Sequence, residues 1–113
     1  MNWINIKSEE DLKNAIEVSF QDNLGVVIFK HSTRCSISSL AKNRLSSDWD
    51  FKEELPLYYL DLISYRAISS KIAEQFNVQH ESPQLLILKN GESIYDASHM
   101  DISVKSIHDK LNA

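Results

Sequence analysis

The stretch Phe29-Lys30-His31-Ser32-Thr33-Arg34-Cys35-Ser36-Ile37-Ser38 holds the only cysteine of the chain. A thiolate can attack one sulfur of a disulfide and expel the other, so Cys35 is a candidate nucleophile toward sulfur. Three residues on, where a second thiol would complete a Cys-x-x-Cys pair, stands Ser38. A hydroxyl does not enter thiol–disulfide exchange, so the spacing describes one-thiol chemistry. An ordinary thiol, with a pKa of about 8.5, supplies only a few per cent of the reactive thiolate at pH 7. A site built on Cys35 therefore needs surroundings that favour a negative sulfur.

The start of a helix provides such surroundings, through unpaired backbone N–H groups and the positive end of the helix dipole. Arg34 can add positive charge, with Lys30 and His31 as further sources. The hydroxyls of Ser36 and Ser38 can donate hydrogen bonds to a thiolate or to a bound disulfide. A lone intracellular cysteine is also often just a small buried hydrophobe. Here, however, Cys35 sits among polar residues, and Ile37 and Leu40 already supply the apolar stripe that follows it.

The flanking elements follow from pattern. Leu24 to Lys30 (LGVVIFK) is apolar at every alternate position on both sides, as in a central strand covered on both faces. Ile37, Leu40, Ala41 and Leu45 then recur at helical spacing, so Cys35 falls at a strand-to-helix junction. Upstream, Trp3 to Ile6 predicts a short strand. Ser8 with Asp11 predicts a capped helix start, and Leu12, Ala15, Ile16 and Phe20 its apolar stripe. Downstream, residues 55–62 (LPLYYLDL) predict a strand. Ser64 is the expected cap of a helix facing inward through Ile68, Ile72, Ala73 and Phe76. Residues 84–88 (QLLIL) predict a strand, Asn90-Gly91 a tight hairpin, and residues 93–98 the return strand. Asp101 or Ser103 caps a last helix carrying Val104, Ile107 and Leu111. The resulting order, β-α-β-α-β-α-β-β-α, predicts an α/β domain with a mixed sheet flanked by helices.

The bulk numbers bound the function classes. The chain has 113 residues, 42% of them hydrophobic and 25% charged, so one domain over residues 1–113 with its own core is expected. A net charge of -4 argues against a nucleic-acid or anionic-membrane surface. No apolar run approaches the roughly 20 residues needed to cross a bilayer. The first residues lack the pattern of a secretion signal, and one cysteine cannot form an internal disulfide, so the expected compartment is the cytoplasm. Gly25 and Gly91 are the only glycines, which excludes dinucleotide and phosphate-binding glycine loops. His31, His80 and His108 show no ligand spacing with Cys35, so no bound metal is expected.

A second informative segment is Val78 to Leu88 (VQHESPQLLIL), in which Ser82-Pro83 enters an apolar strand. Together with the element order and Cys-x-x-Ser at the start of the second helix, it resembles the thioredoxin superfamily over nearly the whole chain. That resemblance implies a cis Pro83 facing Cys35, with the backbone of Ser82 pairing with substrate. Within the superfamily, residues 31–38 (HSTRCSIS) and, more weakly, residues 98–103 (SHMDIS) resemble the monothiol bacilliredoxin family. That family's usual stretch is Thr-Cys-Pro-Ile-Ser. Here Arg34 separates Thr33 from Cys35, Ser36 replaces the proline, and Ile37 and Ser38 match.

The resemblance implies that Cys35 removes a low-molecular-weight thiol, bacillithiol, from mixed disulfides on S-thiolated client proteins. Bacillithiol is then a co-substrate rather than a bound cofactor. The implied substrate-binding residues are Thr33, Arg34, Ser36, Ser38, Ser82, Pro83 and His99, with Arg34 and His99 meeting the carboxylates of bacillithiol. Two alternatives stand beside this reading. A monothiol glutaredoxin using glutathione shares the fold and Cys-x-x-Ser, but usually has glycine after the cysteine and a glycine pair after the last strand. This chain has Ser36 and Ala97-Ser98 there. A non-catalytic thioredoxin-fold binding module would keep the shape without turnover.

Overall fold

The computed structural model describes residues 2–51 and 54–112. The elements are β1 (Trp3–Asn5), α1 (Glu9–Val18), β2 (Val26–His31), α2 (Ser36–Asp48), β3 (Leu57–Asp61), α3 (Arg66–Gln75), β4 (Gln84–Lys89), β5 (Glu92–Ser98), a 3-10 turn (His99–Asp101) and α4 (Val104–Leu111). The strands form one sheet in the order β1-β3-β2-β4-β5. β1, β3 and β2 run parallel, while β4 is antiparallel to both β2 and β5. The mixed α/β architecture expected from the sequence is the one found.

Strand alternation divides the core into two layers. Val27 and Phe29 of β2, with Leu85 and Ile87 of β4, face Ala41 and Leu45 of α2 and Val104 and Ile107 of α4. Val26 and Ile28, with Leu86 and Leu88, face Leu12 and Ala15 of α1 and Ile68 and Ile72 of α3. β2 and β4 are thus apolar on both sides because helices cover both sides. Gly25 precedes β2 at φ 135°, and a Cβ there would lie 2.8 Å from the carbonyl oxygen of Leu88. Only glycine lets the β2 entry approach β4 so closely.

Local signals explain several ends. Ser8 Oγ accepts the Asp11 N–H at 3.1 Å, and Asp11 Oδ2 accepts the Lys7 N–H at 2.9 Å, which fixes the start of α1. Ser103, rather than Asp101, caps α4 by accepting the Ser106 N–H. Asn90 and Gly91 both have positive φ, as a two-residue hairpin turn requires.

Three expectations are corrected. Phe20 lies beyond α1 and is exposed; its ring covers Gly91, where an added Cβ would meet it at 2.7 Å. Ser64 does not cap α3; it belongs to a turn in which Asp61 accepts its N–H and its hydroxyl proton, and Tyr65 is the cap residue. Finally, α2 buries Ser38, Ala41 and Leu45, leaving Ile37 44% and Leu40 57% exposed. The small Ser38 and Ala41 let this helix lie close to the sheet, and the larger side chains are turned outward.

Candidate active site

β2 ends at His31, and the chain turns through Ser32, Thr33 and Arg34 into Cys35, the N-cap residue of α2. Cys35 N–H donates to the Ser32 carbonyl at 3.1 Å, closing the turn, and the Cys35 carbonyl accepts the Ser39 N–H at 3.1 Å, opening the helix. The Cys35 thiol is free and partly exposed, and it makes no capping hydrogen bond. The first turn of α2 contains no acidic residue. The sulfur therefore meets the amide end of a 13-residue helix with no carboxylate in that turn to oppose a negative charge.

Sheet register brings the other candidates to the same end of the molecule. Lys30 pairs with Gln84, and Gln84 with Ser98. The segment leaving β2, the Ser82-Pro83 entry into β4 and the exit of β5 at Ser98-His99 therefore share one end of the sheet. The Ser82–Pro83 peptide bond is cis, and Pro83 is buried. The Pro83 carbonyl accepts the His99 N–H at 3.0 Å, joining the proline segment to the 3-10 turn. Arg44 of α2 fastens that turn from the other side, donating through Nη1 to the carbonyls of Met100 and Ile102.

The individual candidates differ in what they can reach. Thr33, Arg34 and Ser36 are exposed beside Cys35. Arg34 has no hydrogen-bond or ion-pair partner among the described residues, so its guanidinium is free to meet an anion. His99 has positive φ, is exposed, and places Nε2 3.5 Å from Glu81 Oε2. A carboxylate thus already stands beside it. Ser38 is fully buried, and its hydroxyl is engaged away from the sulfur. It lies 2.6 Å from His31 Nδ1 and accepts the Ser32 N–H at 3.0 Å.

The two other proposed sources of positive charge are also engaged elsewhere. Lys30 lies on the α1/α3 side of the sheet, fully buried, with Nζ donating to the Ser69 carbonyl at 3.2 Å. Burial pushes its pKa down to about 8. His31 lies on the α2 side, packed against the rings of Phe29 and Tyr59. Burial, and secondarily the charge of Lys42, lower its pKa from the usual histidine range, while Asp61 and hydrogen bonding at Ser38 pull the other way. Both residues sit just ahead of Cys35 inside a strand pattern that reads as apolar. Their polarity at buried alternate positions was the available signal that they do more than fill space.

Among the described residues, no group of three or more histidine, cysteine or acidic side chains is placed to hold a metal ion. Nor, among those residues, is any helix long and apolar enough to cross a membrane.

Comparison with known proteins agrees with this geometry. One solved structure, described as a candidate oxidoreductase with a thioredoxin fold, is 32% identical at a TM-score of 0.81, covering 96% of this chain and 92% of that one. Thioredoxin from Malassezia sympodialis is 20% identical at a TM-score of 0.69, covering 96% and 86%. Thioredoxin from Trypanosoma brucei brucei is 14% identical at 0.72, covering 98% and 88%. The last two establish the fold alone. The family described as monothiol bacilliredoxin BrxC matches residues 4–107. A chain with a single thiol at the head of α2 in this fold thus belongs to the monothiol bacilliredoxin family and has a thiol redox role.

Proposed function

We propose that this protein removes bacillithiol from mixed disulfides on client proteins through Cys35. The observation that carries the reading is a partly exposed Cys35 at the N-cap of α2 with no second cysteine in the sequence. The Cys35 thiolate attacks the bacillithiol sulfur of the mixed disulfide. A new S–S bond forms to Cys35, the old one breaks, and the client leaves as a thiolate that takes a proton from water. Cys35 then carries bacillithiol. A second small thiolate attacks that disulfide, or a separate reductase does, and Cys35 is regenerated.

The absence of a resolving thiol favours dethiolation over reduction of internal protein disulfides, because the latter leaves a client joined to Cys35 with nothing in this chain to expel it. In this reading the backbone of Ser82, at Pro83, aligns the incoming disulfide. Arg34 meets a carboxylate of bacillithiol, and Thr33 and Ser36 line the approach to the sulfur. His99 contributes only where an anionic substrate competes with Glu81.

The experiment compares removal of bacillithiol and of glutathione from the same S-thiolated client, by wild type and by Cys35→Ser. Faster removal of bacillithiol by wild type, with no removal by Cys35→Ser, supports the reading. Faster removal of glutathione transfers the assignment to glutaredoxin-like chemistry. Undiminished client binding without turnover by wild type leaves only a binding module.

A further inference from the structure

The hydroxyl of Ser38 stands where a resolving thiol would be, and its surroundings specify more than a neutral replacement. Ser38 Oγ has one proton to give. Ser32 N–H is a donor, so it uses a lone pair of Oγ and cannot take that proton. The remaining neighbour is His31 Nδ1 at 2.6 Å. In the neutral ring with its own proton on Nε2, Nδ1 accepts that hydroxyl proton. The chain of bonds runs from Ser32 N–H to Ser38 Oγ to His31 Nδ1, and it spans the turn that presents Cys35. The same turn is closed by Cys35 N–H on the Ser32 carbonyl.

We propose that His31 is a positioning residue for the exchange reaction, which holds the Ser32–Cys35 turn in reactive geometry by accepting the Ser38 hydroxyl proton. This rests on Cys35 being the exchanging thiol. The device is buried: Ser38 is fully shielded and His31 nearly so. Phe29 stacks on the imidazole and Tyr59 packs against it at a tilt. The charged groups facing it are Lys42 from α2 and Asp61 from the end of β3, and they act in opposite directions on its protonation. Tyr59, whose pKa is raised by burial and by Asp61, stays neutral throughout. When His31 gains a proton, Nδ1 becomes a donor, Ser38 Oγ accepts from both Ser32 N–H and Nδ1–H, and the bond across the turn reverses its direction as the hydroxyl proton turns away.

The test uses the full chain as wild type, His31→Asn, His31→Leu, Ser38→Ala, and the His31→Leu/Ser38→Ala double variant. Asparagine carries an acceptor near the position of Nδ1 but does not titrate. Two rates are read: alkylation of Cys35 by iodoacetamide, and removal of bacillithiol from an S-thiolated client. Thermal unfolding identifies any variant that does not fold. His31→Leu and Ser38→Ala are each expected to lose about tenfold in both rates near neutral pH, the worth of one buried hydrogen bond. The double variant should be no worse than either single, because the two residues act through one bond.

His31→Asn should keep most of the neutral rate. The ratio of wild-type to His31→Asn alkylation rates should be constant where the His31 ring is neutral and fall as the ring gains its proton, below the ordinary histidine range. If His31→Leu does not fold, the Asn comparison and its pH dependence decide alone. Rates for His31→Leu within about twofold of wild type, losses that multiply in the double variant, or a ratio flat across the pH range in which NMR shows the His31 ring to gain its proton would each overturn the proposal. Dethiolation surviving in Cys35→Ser would instead refute the exchange reading, and the alkylation series would still report on the turn.

Discussion

Arg44 Nη1 donates to the carbonyl oxygens of Met100 at 3.3 Å and Ile102 at 3.1 Å, bracketing the 3-10 turn from the side of α2. The turn's other anchor is the His99 N–H on the Pro83 carbonyl. One guanidinium thus joins the helix that begins at Cys35 to the segment that follows the proline strand. Met100, 63% exposed on that turn, and Leu40 on α2 are apolar side chains open to solvent. Arg44→Ala removes two charge-assisted bonds and frees the turn without touching the sulfur. The expected result is a KM for an S-thiolated client raised by about tenfold, with the iodoacetamide rate of Cys35 unchanged. Arg44→Lys should recover only part of the loss, because an ammonium lacks the rigid fork of donors. An equal fall in both rates would show that the turn shapes the sulfur's environment itself.

Ser36 occupies the first position of α2, where the family's usual residue is proline. Proline is well tolerated there, since the first amide has no helical partner, but it has no N–H to offer. Serine therefore adds one donor at the end of the helix that faces Cys35. Ser36→Pro should leave the melting temperature within a few degrees of wild type. It should also lower the alkylation rate of Cys35 at neutral pH by about threefold to tenfold, the range for losing one hydrogen bond to a charged sulfur. An unchanged rate would mean that this amide does not face the thiolate.

Ser38→Cys converts the N-cap and third position of α2 into a Cys-x-x-Cys pair. The introduced thiol lies against His31, whose Nδ1 is within hydrogen-bond reach of the position-38 side chain. That thiol can pass its proton to Nδ1, attack Sγ of Cys35 in the mixed disulfide, and release the small thiol as a thiolate. In wild type the bacillithiol adduct on Cys35 should persist for as long as free thiol is withheld. In Ser38→Cys it should disappear under the same conditions, replaced by an internal disulfide visible as a mass without the adduct. Persistence of the adduct would show that position 38 is too tightly held to reach the sulfur.

Much of this arrangement was legible in the sequence, and the parts that were not share a cause. Doubly apolar strands, the Ser8 cap and the Asn90-Gly91 turn are local signals whose physics needs no tertiary context. Cys35 at a strand-to-helix junction followed from the same patterns. The face of α2 did not, because Ile37 and Leu40 and the set Ser38, Ala41 and Leu45 both satisfy helical spacing. Hydrophobicity favours the first set. Close packing against the sheet, and the bond from Ser38 to His31, select the second. Phe20 fits the apolar spacing of α1, yet it covers a glycine more than 70 positions away. Lys30 and His31 looked like nearby charge for Cys35, yet alternation along β2 puts them on opposite sides of the sheet. In each case the deciding partner is remote in sequence.

Lys30 gives a stability test independent of the active thiol. Its ammonium is buried against one carbonyl, that of Ser69, with its pKa lowered to about 8 by loss of hydration. In the unfolded chain the same group titrates at an ordinary 10.5. Between those values the unfolded state binds more protons than the folded one, so stability rises as pH increases from about 8 toward 10. Tyr58 and Tyr59 act oppositely: burial raises their pKa in the folded state, so they remove stability once pH passes about 10. The cost of holding Lys30 charged at pH 7 is about 3 kcal/mol at most, from the size of the shift. Lys30→Met relieves that cost but leaves the Ser69 carbonyl without its donor, which takes back about 1 kcal/mol. The variant should therefore be more stable than wild type by about 2 kcal/mol at neutral pH in urea denaturation. The advantage should shrink steadily from pH 8 to 10 as the wild-type lysine gives up its proton. A constant difference across that range would show that the ammonium is hydrated in the folded protein and that its burial costs nothing measurable.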